Sequence, residues 1–208
     1  TRYEYGADFI HMLLKKRLFS SPMAFATTLA TYKESLEGTR VQKDKRNFEE
    51  RILRNAIMRT EEEYSDDLLA EEIQHEAVEL ASRFIAPLNE YEYGIIQQLT
   101  SWAERAKNQV DSKAKAILEW LEDHLKEGDN WNDKRVILFT EYRATLNWLH
   151  QILVAHGYGG NRLMLLHGKM NTNEREIVKA AFQASPDIST VRILLATDAA
   201  SEGIDLQN

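Results

Sequence analysis

The stretch that best indicates the fold reads VRILLATDAASEGIDL and runs from Val191 to Leu206. It opens with a short apolar run and changes at Thr197 to small, polar and acidic residues. Continuous apolar runs of this length are typical of strands that are covered on both faces. In an open parallel sheet, ligands gather beyond the carboxyl ends of such strands. The residues that follow Thr197 are therefore the first candidates for a functional site.

Two similar apolar runs lie earlier in the chain, RVILFT at 135–140 and LMLLH at 163–167. Helical patterns at 144–156 and 173–183 separate the three runs, and a helix capped by Asp111 is expected to end at Leu125. Strands that alternate with helices predict βαβ units and a parallel sheet. We therefore expect an α/β domain over residues 111–208.

Residues 1–110 have the helical period and few helix breakers, which predicts an α-helical region. The expected helices cover about 7–18, 22–36, 45–58 and 65–85. Ser21 and Pro22 form an N-cap and first-turn proline for the second of them. The predicted fold class is thus α/β, a parallel-sheet lobe preceded by an α-helical region.

Composition excludes several classes of protein. The chain has 208 residues, 43% of them hydrophobic, and no cysteine, so disulfides and thiolate metal sites are excluded. His75 and Glu76 begin a zinc-helix pattern, but Glu79 stands where the second histidine is needed, and we predict no metal site. No apolar run is long enough to span a bilayer. A cytoplasmic protein without a membrane partner is the expectation.

The net charge of -7 is spread unevenly along the chain. Residues 1–60 have 12 basic and 7 acidic side chains, residues 61–129 have 6 and 18, and residues 130–208 have 8 and 8. A polyanion is therefore expected to meet the first or the last segment. Within the first, the cluster Lys15-Lys16-Arg17 is either a phosphate-binding patch or an ordinary exposed face.

Three motifs in the α/β region resemble those of a known family. VILFTEY at 136–142 resembles helicase motif IV, LLHGKM at 165–170 with Glu174 and Arg175 is similar to the following motif, and LLATDAASEGIDL at 194–206 is similar to motif V. The resemblance covers residues 111–208 and is to the second RecA-like lobe of a superfamily 2 helicase or translocase. The wording SEGIDLQ at 201–207 resembles the Swi/Snf-type branch, particularly its bacterial members. Residues 1–110 would then be an insertion or linker between lobes.

The resemblance implies a nucleic-acid partner, with DNA favoured, and a second helicase lobe as the other partner. Hydroxyl and main-chain donors at strand ends suit phosphate oxygens. The residues that the resemblance assigns to the nucleic-acid backbone are Thr140, His167, Gly168, Arg175 and Thr197.

On the nucleotide side, the resemblance implies that Gly203 and Asp205 bind ATP and that Glu202 couples the two ligands. None of the nine glycines begins a G-x-x-x-x-G-K-[ST] loop, and no Asp-Glu-x-His box is present. The main binding elements for ATP and Mg²⁺ are therefore expected outside this sequence, which resembles a fragment of a longer protein. We predict no catalytic residue here and no hydrolysis by this sequence alone.

Purely structural roles are the alternative for three of these residues. Thr140 and Thr197 would also serve as caps of the turns that follow them, and His167 as a histidine satisfied inside the fold. A protein of another class is the alternative: a non-catalytic interaction module whose helical region binds a partner protein.

Overall fold

The computed structural model describes residues 2–38, 46–60, 62, 64 and 66–201. They form two compact units. The first takes its described residues from Thr1–Tyr64 and Leu69–Gln109, and the second from Ser65–Leu68 and Val110–Asn208. Among the helices of these described residues, none combines the length and apolar character needed to cross a bilayer.

The first unit is helical, as the sequence predicts. Its elements are α1 (Arg2–Ser20), α2 (Pro22–Gly38), α3 (Arg46–Thr60), most of α4 (Asp67–Ser82) and α5 (Glu90–Ala106). Helix α2 packs against α1 and α5. The core is a cluster of buried apolar side chains that includes Phe9, Phe25, Leu29, Leu53 and Val78.

Local chemistry explains where these helices begin. The Ser21 hydroxyl accepts from the Ala24 N–H at 3.0 Å, so the predicted cap at this position is confirmed. Helix α1 starts earlier than the sequence predicts, because Gly6 lies inside it rather than before it. A Cβ at Gly6 would lie 3.1 Å from the Ala81 carbonyl oxygen, so glycine here permits a close approach between helices.

The basic cluster of α1 is not uniformly exposed. Arg17 is buried, and its Nη2 donates to Gln74 Oε1 at 2.5 Å, with Glu71 Oε1 3.9 Å from Nη1. Interpreting this arginine as part of a phosphate-binding patch is therefore wrong, because its guanidinium is engaged inside the first unit.

The second unit contains three parallel strands and their connecting helices. Its further elements are α6 (Ser112–Leu125), β1 (Lys126–Glu127), β2 (Asn130–Trp131), β3 (Val136–Thr140), α7 (Arg143–Ala155), β4 (Leu163–Leu166), α8 (Thr172–Gln183), β5 (Ile193–Thr197) and α9 (Asp198–Ser201). Asp111 caps α6 as predicted, its carboxylate accepting from the Ala114 N–H at 2.7 Å. The short antiparallel pair of β1 and β2 was not predicted.

Among the described residues the strand order is β3-β5-β4, with both pairings parallel. The predicted parallel sheet is confirmed, and this unit is a partial RecA-like lobe. Strand β5 lies between the other two, and every one of its five residues is buried. Strand β3 is less covered: four of its residues are half-buried, and Phe139 is 53% exposed.

Candidate nucleic-acid interface

The carboxyl edge of the sheet brings together residues that are far apart in sequence. Thr140 at the end of β3 is the register partner of Thr197 at the end of β5. Leu166 at the end of β4 pairs with Ala196, so His167 follows directly beside Thr197. Adjacent strands lie about 5 Å apart, so these three residues form one row.

Two of the predicted phosphate donors converge on one oxygen atom of an aspartate. Asp67 Oδ2 accepts from the Gly168 backbone N–H at 2.7 Å and from the Thr197 hydroxyl at 3.0 Å. Asp67 belongs to the same unit and is 6% exposed, while Thr197 is fully buried. An anionic oxygen with two converging donors is the arrangement of an oxyanion site, and here a carboxylate fills it.

Thr140 has a different local environment. Its Oγ1 accepts weakly from the Tyr142 N–H at 3.4 Å, and the side chain is half-buried. This contact within the following turn is of the kind expected for a threonine that caps a turn. The same hydroxyl donates to the Tyr142 carbonyl oxygen at 3.5 Å.

His167 contacts Arg143, the first residue of α7. Arg143 Nη1 lies 3.0 Å from His167 Nδ1, and Nη2 lies 3.5 Å from Nε2. A guanidinium only donates, so its approach to the ring nitrogens favours the neutral ring. Burial and the positive charge of Arg143 lower the pKa of His167 below its ordinary value. The ring is thus a neutral group, and the positive charge beside it is that of the arginine.

Arg175 lies in the first turns of α8. Its Nη2 donates to the Ala200 carbonyl oxygen at 3.3 Å, while its buried Nε has no hydrogen-bond partner among the described residues. The neighbouring Glu174 has a structural role, because it forms a capping box with Asn171. The Glu174 N–H donates to the Asn171 side-chain oxygen at 2.9 Å, and the Asn171 N–H donates to the Glu174 carboxylate at 3.0 Å. The cap fixes the start of the helix that presents Arg175.

Acidic groups surround the filled oxyanion site. Burial raises the pKa of Asp198, and the negative charges of Glu141 and Asp67 raise it further. These three carboxylates come from three separate segments of the second unit. Described residues contain no group of His, Asp and Glu side chains arranged to hold a metal ion.

The predicted ATP-facing residues Glu202, Gly203 and Asp205 lie outside the described residues. Their roles, like those of the nucleic-acid set, stay predictions. Two contributors to the edge were missed by sequence reasoning. Arg143 stands in the segment directly after β3, where the position was a usable signal. Asp67 has no such signal, because it opens an acidic helix more than 100 residues before Gly168.

Comparison with known proteins finds a similarity in this part of the chain. Residues 113–208 match the helicase conserved C-terminal domain. The ATP-dependent RNA helicase eIF4A of Coccidioides immitis (strain RS) is 29% identical over 73 residues, which are 35% of this chain and 17% of that protein. The ATP-dependent RNA helicase DBP3 of Eremothecium gossypii is 31% identical over 96 residues, 46% of this chain and 16% of that protein.

The helicase domain match, with these relatives, supports a superfamily 2 helicase C-terminal lobe in the second unit. The chain covers only about one sixth of the length of the two relatives, 17% and 16%. No solved structure matches the chain.

Proposed function

We propose that the second unit is the nucleic-acid-binding lobe of an ATP-dependent helicase or translocase. The observation that carries the proposal is the convergence of the Gly168 amide and the Thr197 hydroxyl on one anionic oxygen. An edge that holds a carboxylate oxygen in this way has the donors for a backbone phosphate oxygen. Thr140 and His167 extend the same edge, Arg175 lies on the helix that follows β4, and the helicase domain match supports the assignment.

The nucleotide side of the proposal rests on the motif resemblance. Gly203 and Asp205 would contact ATP, and Glu202 would link nucleotide binding to the nucleic-acid edge. Phosphate and Mg²⁺ binding would come from the other helicase lobe, since this sequence has no phosphate loop. We expect no ATP hydrolysis by this sequence alone, and turnover that Asp205→Ala abolishes in a coupled assay would contradict that expectation.

The proposed ligand of this edge is a nucleic-acid strand that is bound through its phosphate backbone. The wording of residues 201–207 favours a Swi/Snf-type protein acting on DNA, whereas the two relatives are named RNA helicases. Phosphate contacts position a strand without reading its sequence, so the described edge suits either polymer. Matched DNA and RNA oligonucleotides of the same sequence distinguish the two.

Fluorescence anisotropy with these oligonucleotides, at low and high salt, tests the proposed function. We expect weak, salt-sensitive binding that Thr140→Val lowers by about tenfold, the worth of one hydrogen bond to a charged group. Thr190→Val is the matched control, because Thr190 is exposed and precedes the amino end of β5. Absence of binding to DNA and RNA at low salt would rule out the proposal.

A second candidate is an interaction module that binds a partner protein through the helical region. It is favoured by exposed apolar side chains on α5, which recur at helical spacing at Tyr91, Ile95, Leu99 and Trp102. This candidate predicts that Thr140→Val and Thr190→Val behave alike toward nucleic acid. The anisotropy experiment therefore separates the two functions.

A further inference from the structure

The Asp67 carboxylate lies where the proposed function requires a phosphate. Its Oδ2 is the shared acceptor of the Gly168 amide at 2.7 Å and the Thr197 hydroxyl at 3.0 Å. Asp67 and Thr197 are both buried, with 6% and 0% of their surface exposed. The contact is thus an internal, charge-assisted one rather than an incidental surface contact.

A phosphate oxygen and the Asp67 oxygen cannot use these donors together. The amide and the hydroxyl each have one proton, and both are directed at Asp67. Two anionic oxygens in one enclosed site also repel each other strongly. Nucleic acid can therefore reach the Gly168 and Thr197 donors only when the carboxylate leaves them.

The surrounding charges act in the same direction. Glu141 and Asp198 add negative charge to that of Asp67; burial raises the pKa of Asp198, and the charges of Glu141 and Asp67 raise it further. Positive charge at the edge comes from Arg143, which contacts His167, and from Arg175, which contacts Ala200.

We propose that Asp67 is an internal substitute for a backbone phosphate, which blocks the Gly168 and Thr197 donors until nucleic acid displaces it. The proposal deepens the proposed function and rests on it. It predicts that the Asp67 carboxylate lowers the affinity of the chain for nucleic acid. Removal of the Asp67 charge should therefore raise this affinity, whereas the loss of a buried polar contact usually lowers stability or activity.

Asp67→Asn tests the displacement, because asparagine keeps the size of the side chain and loses the charge. Two charge-assisted hydrogen bonds become ordinary ones, so we expect an affinity for labelled oligonucleotide about tenfold higher at low salt. Asp66→Asn is the matched control. It removes the same charge one residue away, where Asp66 accepts from the Leu68 N–H at 2.9 Å.

A gain confined to Asp67→Asn supports the proposal. Equal gains in both variants would mean general charge repulsion, and an unchanged or lower affinity would mean a purely structural aspartate; either result overturns the proposal and leaves the proposed function intact. If neither the wild type nor any variant binds, the proposed function itself fails.

A second measurement covers the case in which Asp67→Asn does not fold. In the wild-type chain, the Gly168 amide should change its NMR chemical shift as oligonucleotide is added, because its acceptor changes from carboxylate to phosphate. The Ala114 amide, which donates to the Asp111 carboxylate at the start of α6, is the internal reference. Saturation with nucleic acid that leaves the Gly168 signal unmoved overturns the proposal.

Discussion

At the scale of single residues, His167 and Arg143 contact each other at the edge. The arginine donates to Nδ1 of the histidine, and burial with that positive charge lowers the histidine pKa. Positive charge for a phosphate therefore comes from Arg143 at neutral pH. The geometry favours a neutral His167 rather than a cationic one.

The ring of His167 should titrate below the ordinary histidine pKa of 6.5. Arg143→Gln should raise that pKa, since it removes the second cause of the shift, and Arg162→Gln, at the amino end of β4, should not. Ring NMR signals followed against pH measure both effects. Coincident titration curves for Arg143→Gln and the wild type would contradict the assignment.

This shift also makes stability depend on pH. The folded-state pKa is below that of the unfolded chain, so the unfolded chain binds more protons as the pH falls. The contribution of His167 to stability is therefore complete above the ordinary histidine pKa and declines as the pH falls toward the folded-state value.

At the scale of elements, two adjacent motif residues at the start of α8 have different roles. Glu174 closes a capping box with Asn171, whereas Arg175 donates to the Ala200 carbonyl oxygen. The cap holds the first turn, and the arginine depends on that turn for its position. Sequence similarity alone does not separate the two roles.

Asn171→Ala should lower the free energy of unfolding by about 1 kcal/mol, because the first turn of α8 loses its side-chain acceptor. Asn173→Ala, an exposed change in the same turn, should cost less. Urea denaturation monitored by circular dichroism measures both. Equal costs would indicate that the capping box adds nothing to stability.

At the scale of the whole molecule, net charge and binding are opposed. The chain has a charge of -7, so nucleic-acid binding depends on a few local cations, and each of them adds to the salt dependence. Arg175 is one such cation in the proposed interface. Its loss should change the salt dependence as well as the affinity.

Arg175→Gln should reduce the slope of log affinity against log salt by about one unit, the effect of a lost phosphate contact. Arg83→Gln is the matched control, because Arg83 is exposed in the first unit. Anisotropy titrations over a series of salt concentrations give both slopes. An unchanged slope for Arg175→Gln would remove this residue from the interface.

The sequence by itself determined the helical region, the three strands and the row formed by Thr140, His167 and Thr197. Periodicity and local caps are encoded in neighbouring residues, such as Ser21 and Asp111, and polar residues at the ends of parallel strands necessarily share one edge. These features need no knowledge of distant contacts.

Only the tertiary structure decided which groups fill that edge. The position of β5 between β3 and β4 sets Thr197 beside both neighbours, and it follows from pairing across the sheet rather than from any local pattern. Asp67 meets Gly168 across more than 100 residues of sequence. Asp67 is an ordinary helix-start residue until folding places its carboxylate against the Gly168 amide and the buried Thr197 hydroxyl, and that contact turns it into a competitor for phosphate.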